Sequence, residues 1–132
     1  MATAWRLEDL DVWHLAVELR DEIHKLTETG AASRNFKFRD QIRDSSSSPA
    51  RNIAEGFGRY KPKSFAYFLS VALGSLQETR THLLDGRTKN YFTEADTNRL
   101  LRLQARTTRA AKSLRQYLDS CNNDGPARSD QQ

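Results

Sequence analysis

The chain is poor in the residues that build alternatives to helix. Its 132 residues include three prolines and six glycines, too few for an all-β sandwich, which turns about every ten residues. There is one cysteine, Cys121, so no intramolecular disulfide can form, and secreted domains of this size usually carry paired cysteines. Long apolar runs are missing as well. The longest stretch without a charge or a histidine is Ser64–Gln77, fourteen residues, short of the roughly 18 that a membrane helix needs. The opening Met1–Arg6 lacks the apolar core of a signal peptide. These absences lead to the expectation of a cytoplasmic protein with no membrane partner. The length suits one domain and is too small for a two-domain enzyme or a βα barrel.

Hydrophobic residues make up 37% of the chain and charged residues 29%, with a net charge of +4 and a mean hydropathy of −0.78. The apolar residues fall at helical spacing. Val12, Ala16, Leu19, Ile23 and Leu26 step by four and three, a heptad seam that predicts an amphipathic helix from about Asp9 to Thr29. Gly30 can stop it in a left-handed conformation, and Ala31–Asn35 reads as a loop. A second face runs through Phe38, Ile42, Ser46, Pro49, Ile53 and Phe57. It crosses Ser45–Ser48 and Pro49, and an interior proline kinks or breaks a helix. Two readings stand at this point: one helix from Phe36 to Gly58 bent near Pro49, or two helices separated by a serine loop. The unbroken phase of the apolar face favours the bent helix.

Pro62 can open a third helix, Lys63 to Leu84, with Phe65, Phe68, Leu69, Ala72, Leu76 and Leu83 on one face. Its other side holds Ala66, Tyr67, Ser70, Val71 and Gly74, so it is apolar nearly all round and needs more than one neighbour. These five residues are the candidate oligomer interface. Asp85–Phe92 reads as a connection. Thr93, followed three residues later by Asp96, resembles a capped helix start. The fourth helix follows to about Ser120 on a seam of Leu100, Leu103, Thr107, Ala110, Leu114, Tyr117 and Cys121. The expected fold is all-α, an up-down-up-down four-helix bundle over residues 1–121, with a disordered tail at 122–132.

Three stretches carry a family pattern. They are Leu10–Leu19 (LDVWHLAVEL), Gln41–Arg43 with Pro49–Arg59 (PARNIAEGFGR), and Phe65–Glu78. Together they resemble the bacterial four-helix-bundle family named after proteins encoded in intervening sequences of 23S ribosomal RNA genes, over about residues 9–118. The resemblance implies a ring-like homopentamer, and it brings no established enzymatic activity. A related branch, the accessory proteins of diversity-generating retroelements, forms similar pentamers and contacts reverse transcriptase and RNA. The chain departs from the usual pattern at Asp44–Ser48 and at Arg51.

Charge is distributed unevenly. Residues 1–33 carry three basic and seven acidic side chains, and residues 34–63 carry eight and three. Arg99, Arg102, Arg106 and Arg109 are spaced three, four and three, which puts them on one stripe of the fourth helix. A planar guanidinium suits phosphate, and a basic stripe is the electrostatic footprint of nucleic-acid binding. The competing reading is a solvated face with salt bridges to the acidic first helix. Asn52, Glu55 and Arg59 form a polar set on the most family-specific stretch. They read either as a polar site or as a buried or subunit-bridging hydrogen-bond set that fixes the kinked second helix, with a buried Glu55 needing Arg59 or another cation as partner.

Catalytic patterns are thin. A di-iron bundle needs Glu from two helices and Glu-x-x-His from two more; Asp21-x-x-His24 is a lone approximation, so neither metal nor cofactor is expected. Gly56–Ser64 lacks the second glycine of a phosphate loop and has no strand before it. No histidine is placed as a base for the serine run, and Cys121 reads as a small hydrophobe. The expected function is a non-enzymatic, homo-oligomeric scaffold. The alternative is an accessory protein that binds RNA or DNA through the arginine stripe.

Overall fold

The computed structural model describes residues 6–121. They are all-α. A single 3-10 turn at Leu7–Asp9 precedes α1 (Asp11–Leu26), α2 (Gly30–Arg34), α3 (Phe36–Phe57), α4 (Pro62–Thr88) and α5 (Glu94–Asp119), and there is no strand among the described residues. The tail expected at 122–132 lies outside the described residues. Among the described residues no helix is long and apolar enough to cross a membrane.

The four long helices pack in a closed order. α1 touches α3 and α5, and α4 touches the same two. α3 runs unbroken through Pro49, which is buried, so the serine-loop reading falls. Proline removes one backbone donor, and the serines before it bond locally. Ser45 Oγ donates to the Ile42 carbonyl at 3.2 Å and Ser46 Oγ to the Arg43 carbonyl at 3.3 Å. Such back-bonding, like an interior proline, tends to bend a helix.

Two expected connections are partly helical. Ala31–Asn35 belongs mostly to α2, entered through Gly30 at φ +77°. α4 runs a turn past Leu84, to Thr88. There the Tyr91 N–H bonds the Gly86 carbonyl at 2.8 Å and the Asn90 N–H bonds that of Arg87 at 3.0 Å. With Asn90 at φ +59°, this is a Schellman stop. The expected cap of α5 forms: Thr93 Oγ1 accepts the Asp96 N–H at 3.0 Å.

Both terminal seams drift from a strict heptad. In α5 the core takes Leu100, Leu103 and Thr107, then Ala111, Leu114 and Leu118; Ala110 is half-buried and Tyr117 and Cys121 lie at the surface or its edge. In α1, Thr27 is buried just past the helix end while Leu26 is only half-buried. A straight helix of 3.6 residues per turn slips by about 20° per heptad, so a seam extrapolated at 3.5 ends one residue early.

The core comes in two apolar halves. One holds Val12, Ala16, Ile53, Phe57, Phe65, Leu69, Leu114 and Leu118. The other holds Leu19, Ile23, Phe38, Ile42, Leu76, Leu83, Leu100 and Leu103. Between them lies a buried polar layer from α3, α4 and α5. Ser75 Oγ donates to Ser48 Oγ at 2.6 Å, and Thr79 Oγ1 lies 3.1 Å from Ser45 Oγ. Gln104 Nε2 donates to the Leu76 carbonyl at 2.9 Å. Each group finds a partner, as burial demands.

Candidate functional site

The arginine stripe divides in two. Arg99 turns toward α1, where its guanidinium reaches Glu22 at 2.7 Å and Asp96 at 3.4 Å. These carboxylates hold its pKa above the ordinary arginine value, the Glu22 hydrogen bond contributing most. Arg102, Arg106 and Arg109 are exposed on the outer face of α5 and make no ion pair among the described residues. The salt-bridge reading therefore describes Arg99, and the open stripe is three residues long.

Asn52, Glu55 and Arg59 do not converge. Asn52 Nδ2 donates back to the Ser48 carbonyl and to Ser48 Oγ, both at 2.9 Å, which ties it to the polar layer. Glu55 is at the surface, not buried; it meets Arg59 at 3.0 Å with both side chains about half exposed. Arg59 also lies over the Phe68 ring, 5.0 Å from its centroid, clasping the end of α3 to α4. The Glu55–Arg59 pair is a helix-end fixture.

The candidate oligomer face is largely open. Tyr67 is 63% exposed and Val71 36%, with Ser70 and Gly74 beside them. Ala66 is the exception: it is buried in the core of its own chain. Tyr67 and Ser70 border a shallow groove between α4 and α5, with Lys63, Arg115 and Asp119 on its sides. Added at Gly74, a Cβ would meet nothing within 4 Å, whereas at Gly56 it would strike Phe68 Cβ at 2.9 Å. The outer strip of α4 is therefore open at Gly74, and its inner strip is tightly filled where Phe65 and Phe68 meet α3.

Sequence reading passed over the polar layer and a second polar knot between α1 and α3. His24 Nε2 sits 3.2 Å from Ser47 Oγ, and Arg43 bonds both Thr27 Oγ1 (2.8 Å) and the His24 carbonyl (3.2 Å). Burial, then the charges of Arg43 and Arg20, lower the His24 pKa. The available signal was Ser45 and Ser48 three apart, facing Ser75 and Thr79 four apart. Among the described residues, no group of three or more His, Cys, Asp or Glu is placed to hold a metal ion.

A family model described as 23S rRNA-intervening sequence protein matches residues 8–115. No curated protein matches the chain.

Proposed function

The chain belongs to the 23S rRNA-intervening sequence protein family, and we propose that it works there as a non-catalytic homo-oligomeric scaffold. In this reading the long helices form an up-down-up-down four-helix bundle, and five bundles join into a ring in the bacterial cytoplasm. One observation carries it: α4 is lodged in the core along one side yet presents Tyr67 and Val71 to solvent on the other. An aromatic and an aliphatic side chain one turn apart, on a helix that carries no charge between Lys63 and Glu78, favour a contact surface there. Light scattering tests the reading. The expected mass is five times the 15.1 kDa protomer, and a protomer mass at every concentration would overturn it.

A second reading, an accessory protein that binds RNA or DNA, is favoured by the open run of Arg102, Arg106 and Arg109. Ring symmetry would repeat that run on each protomer. Binding to structured RNA should then fall steeply with salt, as counterion release requires. No binding at low salt would reduce the stripe to a solvated surface.

A further inference from the structure

We infer that the polar knot between α1 and α3 is a proton-operated latch. When His24 takes up a proton, Arg43 lets go of the end of α1, and the last turn of that helix leaves α3 while the rest of the bundle stays closed.

Arg43 reaches across from α3 to Thr27 Oγ1 at 2.8 Å and to the His24 carbonyl at 3.2 Å. Both acceptors lie at the C-terminal end of α1. Thr27 is fully buried, and its hydroxyl faces the Ile23 and His24 carbonyls at 2.9 and 3.1 Å, which leaves the oxygen free to accept from Arg43. Beyond it the chain has little cover. Glu28, Thr29, Gly30 and Ala31 are exposed, and α2, which packs on α3, is five residues long. Exposed backbone with few packed neighbours opens at low free energy, so the Arg43 bonds matter most here.

His24 can break them, because imidazole is the side chain that changes charge near neutral pH. It sits beside the guanidinium, 3.2 Å from Ser47 Oγ. On α1, Arg20 and Asp21 stand one turn earlier and are bonded to each other at 2.9 Å; Lys25 and Glu28 follow, both exposed. On α3, Arg43 is nearest, and exposed Asp44 and Arg51 lie three and four residues from Ser47. The α5 charge that reaches α1, Arg99, is held by Glu22, about 200° around the helix from His24. Burial opposes charging of the ring, and Arg43 and Arg20 repel a further cation. The Arg43 backbone and Asp21 act the other way without overcoming them, so the pKa is lowered. With the turn released the ring meets water and regains its ordinary value of about 6.5. The released state therefore binds the proton better. Latching holds above that value, weakens as pH falls below it, and stops weakening once pH has passed the lowered one.

Amide hydrogen exchange on the full chain tests this, read as protection factors so that the intrinsic pH dependence of exchange drops out. Between pH 7.5 and pH 5, protection at residues 25–29 should fall at least about threefold. At pH 5 it should lie at least about tenfold below that of residues 16–19, which exchange when the whole bundle opens. His24→Gln, which takes up no proton, should abolish the fall. Arg43→Gln should leave residues 25–29 poorly protected at both pH values and bring the His24 titration, followed by NMR, closer to the ordinary value. Protection that persists to pH 5, or falls equally in His24→Gln, overturns the latch. Equal protection at residues 25–29 and 16–19 also overturns it, since the turn would then open only with the bundle. Should a variant misfold, the parent decides: a His24 ring titrating at or above about 6.5 overturns the latch.

Discussion

Two glycine-to-alanine changes separate the filled and bare sides of the helices. At Gly56 the new Cβ would lie 2.7 Å from Phe65 Cδ1, 2.9 Å from Phe68 Cβ and 3.3 Å from Phe65 Cα. The Phe65 ring can tilt away, but Phe68 Cβ is fixed to its backbone. α3 and α4 must therefore part by about half an ångström, and Phe57 and Phe65, edge to face at 6.2 Å, part with them. Overpacking of this kind costs about 1–3 kcal/mol, offset by less than about 1 kcal/mol of helix propensity. Gly56→Ala should therefore destabilise the fold by roughly 1–2 kcal/mol. At Gly74, where nothing lies within 4 Å, only the propensity gain remains, and the fold should become more stable by roughly 0.5–1 kcal/mol. For a chain of this size the melting temperature shifts by roughly 3–6 °C per kcal/mol, so the two variants should melt on opposite sides of the parent. Urea unfolding at a concentration where every variant has the same oligomeric state keeps association out of the comparison. A Gly56→Ala chain as stable as the parent would show that α3 and α4 do not approach as closely as the Phe68 contact requires.

Other perturbations probe the polar groups. Ser48→Ala removes the acceptor of Ser75 and one of two acceptors of Asn52; it should cost about 1–2 kcal/mol in urea unfolding, and adding Ser75→Ala should cost less than the sum of the singles. His24 has a folded pKa below its ordinary value of about 6.5, so the folded state binds fewer protons than the unfolded one. Its contribution is present above the unfolded value and is lost as pH falls through the folded one; urea midpoints from pH 7.5 to 5 should fall more steeply for the parent than for His24→Gln, and parallel slopes would refute it. Arg102→Ala with Arg106→Ala should leave unfolding unchanged while weakening RNA retention and flattening its salt dependence. Arg99→Ala, which breaks exposed pairs, should cost less than about 1 kcal/mol, and a loss of several would show that Glu22 and Arg99 hold α1 to α5.

The sequence carried the helices well because periodicity and caps are local. Thr93 and Pro62 mark helix starts by chemistry that needs no tertiary partner, and the apolar phase through Pro49 survived because Ile42 and Ile53 remain on one face whatever lies between them. Local rules failed where packing decides. Whether Ala110 or Ala111 faces inward depends on accumulated twist, which a fixed heptad cannot track. α4 gained its last turn because Gly86 lets Phe92 pack against the helix: a Cβ there would strike the Phe92 ring. The serine run is the clearest case. Hydroxyls before a proline read as a loop or a strained helix, and only the facing Ser75 and Thr79, about thirty residues away, convert them into a buried layer.

That layer also bears on where function can lie. A polar core with spare donors would invite a ligand, but Ser45, Ser48, Ser75, Thr79 and Gln104 bond one another or the backbone. Their use is registry: a hydrogen-bonded layer between two apolar halves penalises any sliding of α3 along α4, since a one-turn slip would leave hydroxyls unpaired at about 1–3 kcal/mol each. With the interior satisfied and Glu55, Arg59 and Arg99 engaged in ion pairs, the unspent chemistry lies outside. It includes the open strip of α4, the acidic residues of α1 and three arginines on α5.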